Sequence, residues 1–200
     1  MQSKSYEAYR KEAKTGDIVL FKGRGLGSLV IRYGPKLLGE PVAQYSHVGM
    51  VVRTADDYLL ILESTSLCKG LNGVQLHILS NRVTTYKGKV YIRKLNKHLS
   101  APQHFRLNKL RKELSGIRYE KSKKDLIWAG MGLSRDDGTG LSSLFCSELV
   151  VHTFQKLSMV DDTKPPSSFA PDHLSYSNQK IEPINGYHWY REFQLDKPIP

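Results

Sequence analysis

Between residues 17 and 95 the apolar positions fall in short unbroken runs or at every second residue, which predicts strands. Ile18-Val19-Leu20-Phe21 reads as a buried strand, and His47-Val48-Gly49-Met50-Val51-Val52 as a second. After the Asp56-Asp57 turn, Tyr58-Leu59-Leu60-Ile61-Leu62-Glu63-Ser64 returns as its antiparallel partner. Val74-Gln75-Leu76-His77-Ile78 alternates, and Lys89 to Leu95 forms another strand after the Lys87-Gly88 turn. Beyond residue 100 the period lengthens to that of a helix. Ser100 caps a segment with Pro102 in its first turn that continues through Phe105, Leu107, Leu110 and Leu114 to Gly116. Lys124 to Met131 follows as a helical stretch, and a late helix carries Leu149, Val150, Thr153, Phe154 and Leu157 on one face. Lys164 to Asp172 is read as extended, and the aromatic tail to Pro200 as a final strand or irregular arm. The order predicts a single α+β domain over residues 1–200, an antiparallel sheet packed against helices. Residues 1–14 are a helical extension, with a short polar helix from Ser5 to Lys14.

Two positions interrupt this apolar pattern with chemistry. Cys146 precedes Leu149 and Val150 by three and four residues, so it sits at the first turn of the late helix on its apolar face. Ser142 and Ser143 are candidate N-caps, and the helix N-terminus is a positive field in which a thiolate is favoured. A free cysteine on an apolar face is equally an ordinary small core residue. Glu63 shares a strand face with Leu59 and Ile61, and a carboxylate there needs a partner. Hairpin arithmetic supplies one: the start of the His47 strand lies beside the end of the Glu63 strand, so His47 and Glu63 are neighbours. Either residue alone has a plain structural reading, the joint placement less so. His152, six residues along from Cys146, is turned away and about 9 Å distant. His77, His98, His104 and His173 have no acidic or thiol neighbour in this pattern.

Composition narrows the partners. The chain has 200 residues, a formal charge of +11 and two cysteines, Cys68 and Cys146. That count excludes a disulfide framework and fits a reducing compartment. The charge favours an anionic polymer or membrane surface as partner, without an obligate nucleic acid. Lys109-Leu110-Arg111-Lys112 and Lys121-Ser122-Lys123-Lys124 read as solvated helix faces. Gly23-Arg24-Gly25-Leu26-Gly27 follows a strand, but its G-x-G-x-G spacing and the lack of a βαβ pattern favour a flexible turn at a cleft mouth over a nucleotide site. The first residues carry no apolar signal segment and no run is long enough to span a bilayer, so the expectation is a cytoplasmic protein or one delivered by a virion or phage.

In Gly16-Asp17-Ile18-Val19-Leu20, Ser46-His47-Val48-Gly49-Met50, Glu63-Ser64, Gly116-Ile117-Arg118-Tyr119 and Phe145-Cys146-Ser147-Glu148-Leu149-Val150, followed by Pro171-Asp172, the chain resembles the circularly permuted, YiiX-like and YebB-like branch of the papain-like NlpC/P60 superfamily. The motifs run in that group's order from about residue 15 to residue 175. The resemblance implies a permuted papain-like fold with Cys146 as nucleophile, His47 as its base and Glu63 as the group orienting the imidazole. It implies a thioester acyl-enzyme formed on an amide, ester or thioester, with a peptidoglycan-type peptide or an acyl lipid as substrate, and no cofactor or metal. Tyr45 and Tyr119 are candidates for the substrate or oxyanion pocket. A non-catalytic basic module that binds nucleic acid or an anionic membrane is the alternative, and His47, Glu63 and Cys146 as metal ligands a third reading.

Overall fold

The structure, a computed structural model, describes residues 2–23, 42–66, 72–115 and 145–198. Seven strands form one sheet: β1 (Ser3–Lys4), β2 (Ile18–Gly23), β3 (His47–Arg53), β4 (Leu59–Ser66), β5 (Asn72–Ile78), β6 (Gly88–Arg93) and β7 (Phe193–Leu195), in the order β1-β7-β6-β2-β3-β4-β5. Every pairing is antiparallel except β1 with β7. The described helices are α1 (Tyr6–Arg10), α2 (Leu79–Thr85), α3 (Ala101–Leu114) and α4 (Cys146–Lys156). The α+β class and the antiparallel sheet packed against helices are therefore as the pattern predicts. The glycine-rich turn after β2, the helical stretch at residues 124–131, Cys68 and Tyr119 lie outside the described residues.

The alternation of the strands divides the core. Ile18, Leu20, Val48, Met50, Val52 and Leu62 pack with Leu149, Val150 and Phe154 of α4 on one face of the sheet. Val19, Phe21, Val51, Leu59 and Ile61 pack with Leu79 and Val83 of α2 and with Tyr6 and Tyr9 on the other. Each large side chain buried this way is worth about 1.5–3 kcal/mol of transfer free energy. Gly49 sits between β2 and β4, and a Cβ there would lie 2.6 Å from Ile61 Cδ1. A side chain, more than a backbone, takes up the space that glycine leaves.

Residues 2–14 are more than an extension. β1 adds to the sheet beside β7, and the helix within this segment is only the five residues of α1. Tyr9, fully buried, donates from its hydroxyl to Asp17 Oδ2 at 2.8 Å. The same carboxylate accepts from Lys14 N at 3.0 Å and, through Oδ1, from Leu95 N at 2.8 Å, so one buried group joins the N-terminal segment to the ends of β2 and β6. Gly16, just before it, has φ 99°, a left-handed conformation that suits glycine.

The segment expected to be extended contains two 3-10 turns, Pro166–Ser168 and Pro171–Leu174. Asp172 Oδ1 accepts from the backbone N–H groups of Gln44, at 2.8 Å, and Tyr45, at 3.1 Å. A late turn thus fixes the loop that leads into β3.

Candidate active site

α4 begins at Cys146, with Phe145 as the extended N-cap residue. The candidate caps Ser142 and Ser143 lie outside the described residues. Glu148 closes half of a capping box, its Oε2 accepting from Phe145 N at 3.3 Å. The first i to i−4 bond of the helix is Leu149 N to Phe145 O, which leaves the N–H groups of Cys146 and Ser147 at the start of the helix. Cys146 is 5% exposed and belongs to the apolar cluster under α4.

His47 is the first residue of β3 and lies across from Phe21 of β2, ring centroids 5.1 Å apart. β4 pairs with β3 so that Met50 faces Leu62; one step further along that register Gly49 faces Glu63, and His47 lies on the diagonal. Across it His47 Nε2 donates to Glu63 Oε2 at 2.6 Å. The Cys146 sulfur lies close enough to the imidazole to favour its charged form. With Nε2 engaged by the carboxylate, Nδ1 is the nitrogen left for the sulfur. His47 therefore joins the two faces of the sheet: its Glu63 side belongs to the α2 layer, its Cys146 side to the α4 layer. At 13% side-chain exposure, the ring is still reached by solvent at its edge.

Glu63 is fully buried, and its other oxygen is also taken. Arg82 Nε of α2 donates to Glu63 Oε1 at 2.6 Å, and its guanidinium lies 4.8 Å from the Phe21 ring centroid and 5.2 Å from that of Tyr86. Burial pushes the Glu63 carboxyl up, but its hydrogen bond with His47 and the charges of His47 and Arg82 outweigh that and hold it at about 2. For His47 burial pushes the pKa down; the charge and hydrogen bond of the Cys146 sulfur, then those of Glu63, win and raise it to about 9. At neutral pH the imidazole is thus an imidazolium beside the Glu63 carboxylate.

The structure thus brings Cys146, His47 and Glu63 together. Tyr45 is placed differently: it is 1% exposed, its hydroxyl donates to the buried Glu192 at 3.1 Å, and its ring packs edge-on against Tyr91. It is a core group beside the His47 loop. Tyr119 falls outside the described residues. Two neighbours of Glu63 were not anticipated. Arg82 sits on α2, a helix with no capping side chain to announce it. His77, expected to lack an acidic neighbour, faces Ile61 on β5 and places Nε2 3.8 Å from Glu63 Oε1, a diagonal contact that the β4–β5 register explains.

No family model matches the sequence, and no curated protein does. The fold is shared with the crystal structure of metalloprotein yiiX from Escherichia coli O157:H7, at a TM-score of 0.53 and 18% sequence identity over 94% of this chain and 99% of that one. The residues here do not suit a metal ion. Among the described residues no group of three His, Cys, Asp or Glu is arranged to hold one. The Arg82 guanidinium on Glu63 Oε1 places a fixed positive charge where a divalent cation would have to bind.

Proposed function

We propose that the protein is a cysteine hydrolase or acyltransferase that works through a thioester acyl-enzyme. The observation that carries this reading is the imidazole of His47, held by Glu63 at 2.6 Å on Nε2, with the Cys146 sulfur among the groups that favour its charged form. Cys146 as thiolate attacks a carbonyl carbon, forming the C–S bond while the carbonyl electrons move to oxygen. The N–H groups at the open end of α4 are the available donors for that oxyanion. Collapse of the intermediate breaks the bond to the leaving amine, alcohol or thiol, which takes the proton from His47 Nδ1. Water or an acyl acceptor then gives its proton to the imidazole and attacks the thioester carbon, and collapse breaks the C–S bond, releasing the acyl product and returning Cys146 as thiolate beside the imidazolium. Glu63 fixes the ring and stabilises its charged form, and Arg82 keeps Glu63 ionised with Oε2 turned to His47. Peptide amides of the peptidoglycan type and acyl lipids both satisfy this chemistry.

The test is alkylation of Cys146 by iodoacetamide as a function of pH in a Cys68→Ser background. The pair predicts reaction at pH 6, where an ordinary thiol of pKa about 8.5 is almost wholly protonated, and a shift of the profile to higher pH in His47→Ala. A Cys146 with ordinary titration in both proteins would sink the enzyme reading and leave the basic binding module. With a substrate in hand, Cys146→Ala abolishes turnover.

A further inference from the structure

At the far end of β3 from His47 the fold encloses a second, unrelated site. A cavity of about 510 Å³ lies between α3, the end of β3 and the segment after β6, and its lining includes Lys14, Arg53, His98, His104, Asn108 and Arg111. Among the described residues no carboxylate lines it. Six residues of β3 separate it from His47, a span of about 20 Å at strand rise, so it is no part of the thiol site.

The polar groups in this cavity are unequally used. Arg53 is spent, its Nε donating to Asp57 Oδ1 at 2.7 Å and its Nη1 to the carbonyls of Arg10 and Ala13. Lys14 donates to the carbonyls of Leu95 and Asn96, which hold its ammonium in place without neutralising it. Arg111 is the exception. The sequence places it in a run of cations read as a solvated face, yet its Nε is buried and has no hydrogen-bond partner, while Nη1 makes only a 3.3 Å bond to Asn108 Oδ1. Buried polar atoms nearly always find partners, and a charged donor left without one is costly. The imidazoles of His98 and His104 make no side-chain hydrogen bond among the described residues. A guanidinium with its Nε unpartnered, a pinned ammonium and two imidazoles line one cavity, with no acid among the described lining residues, and form an incompletely used set of donors.

We propose that this cavity binds a phosphoryl group, with Arg111 as its main ligand. A tetrahedral dianion or monoanion offers several acceptor oxygens to converging donors, and guanidinium matches them with parallel N–H bonds. The formal charge of +11 draws such anions to the surface from a distance. The cavity falls in the size range of small-molecule sites and holds a phosphate with part of whatever bears it. The source is either a soluble phosphate ester or a phospholipid headgroup, and exposed Phe105 on the adjacent turn of α3 gives the second a place to rest.

Binding of inorganic phosphate by calorimetry and of phosphatidic acid vesicles against pure phosphatidylcholine vesicles by co-sedimentation tests this. Arg111→Gln keeps a polar side chain of helix-favouring type and removes the guanidinium and its charge; His104→Ala removes a second ligand and guards against a folding defect in the first variant. Lys109→Gln, on the exposed face of the same helix in a loose pair with Glu113, is the control for net charge. Arg111→Gln weakens phosphate binding at least about tenfold, the worth of a hydrogen bond to a charged group, His104→Ala weakens it less, and Lys109→Gln leaves it unchanged. Phosphatidic acid vesicles that bind and are displaced by phosphate identify the headgroup as the source; phosphate binding without vesicle binding identifies a soluble ester. Absence of saturable binding to either probe, or equal losses in Lys109→Gln and Arg111→Gln, would overturn the proposal.

Discussion

Glu63 and Asp17 are both wholly buried carboxylates on neighbouring parts of one sheet, and their surroundings drive them in opposite directions. Asp17 accepts three hydrogen bonds, from Tyr9 Oη, Lys14 N and Leu95 N, all neutral donors. Burial outweighs them and raises its pKa to about 6. Glu63 is equally buried but faces a guanidinium and an imidazolium, and falls to about 2. Hydrogen bonds from neutral groups are enough to fasten a fold; charge is needed to keep a buried acid ionised at neutral pH. The first arrangement serves a joint between segments, the second a site that must hold an imidazolium.

The contrast can be broken at its strongest point by Arg82→Met. Removing one member of a buried ion pair typically costs about 3–5 kcal/mol, and denaturant unfolding at pH 7 should show a loss of that order. The alkylation profile of Cys146 should shift as well, and Arg82→Lys, which returns the charge without the guanidinium plane, should recover part of both. A loss of stability with an unchanged profile would make Arg82 a structural residue only.

The two acids also predict opposite slopes of stability against pH. Glu63 has a folded pKa below its unfolded value of about 4.3, so its contribution is present above pH 4.3 and is lost as pH falls toward 2. The gap corresponds to about 3 kcal/mol, which Glu63→Gln should remove from the acid limb. Asp17 has a folded pKa above its unfolded value of about 3.9, so its contribution is present below 3.9 and is lost as pH rises through 6. Asp17→Asn should flatten a decline of roughly 2–3 kcal/mol between those values. If both variants change the same limb, the contrast fails. Tyr45→Phe is the smallest test: losing one bond to a buried carboxylate should cost about 1–2 kcal/mol with the alkylation rate of Cys146 unchanged. A slowed alkylation would return Tyr45 to the site.

The sequence carried these two acids with unequal clarity. His47 with Glu63 was legible because strand alternation and a short hairpin leave little freedom in register, and Cys146 because helix period fixes the face of its first turn. Arg82 was hidden by its element. α2 is seven residues long, is preceded by Ile78 as an N-cap residue that offers no capping side chain, and contains Val83, Thr84 and Thr85, which read as strand or loop. β1 and β7, two and three residues long, are too short for any period, and it is their pairing that turned an expected extension into part of the sheet. His77 was read by its neighbours in sequence, whereas its contact with Glu63 comes from the β4–β5 register. Tyr45 stands next to Ser46-His47 in the chain, but adjacency does not say which way a loop residue points.

The bond from Asp172 to the backbone before His47 reaches across 128 residues. During synthesis, then, His47 and Glu63 can pair as a local hairpin long before α4 has emerged, while the loop that sets the approach to His47 waits for the 3-10 turn at Pro171–Leu174. That closure spans more than half of the chain, and closures of that kind are slow. A chain interrupted anywhere before that turn holds Cys146 without the bond that fixes the approach to His47, so the surroundings of the thiol are completed only in nearly finished molecules.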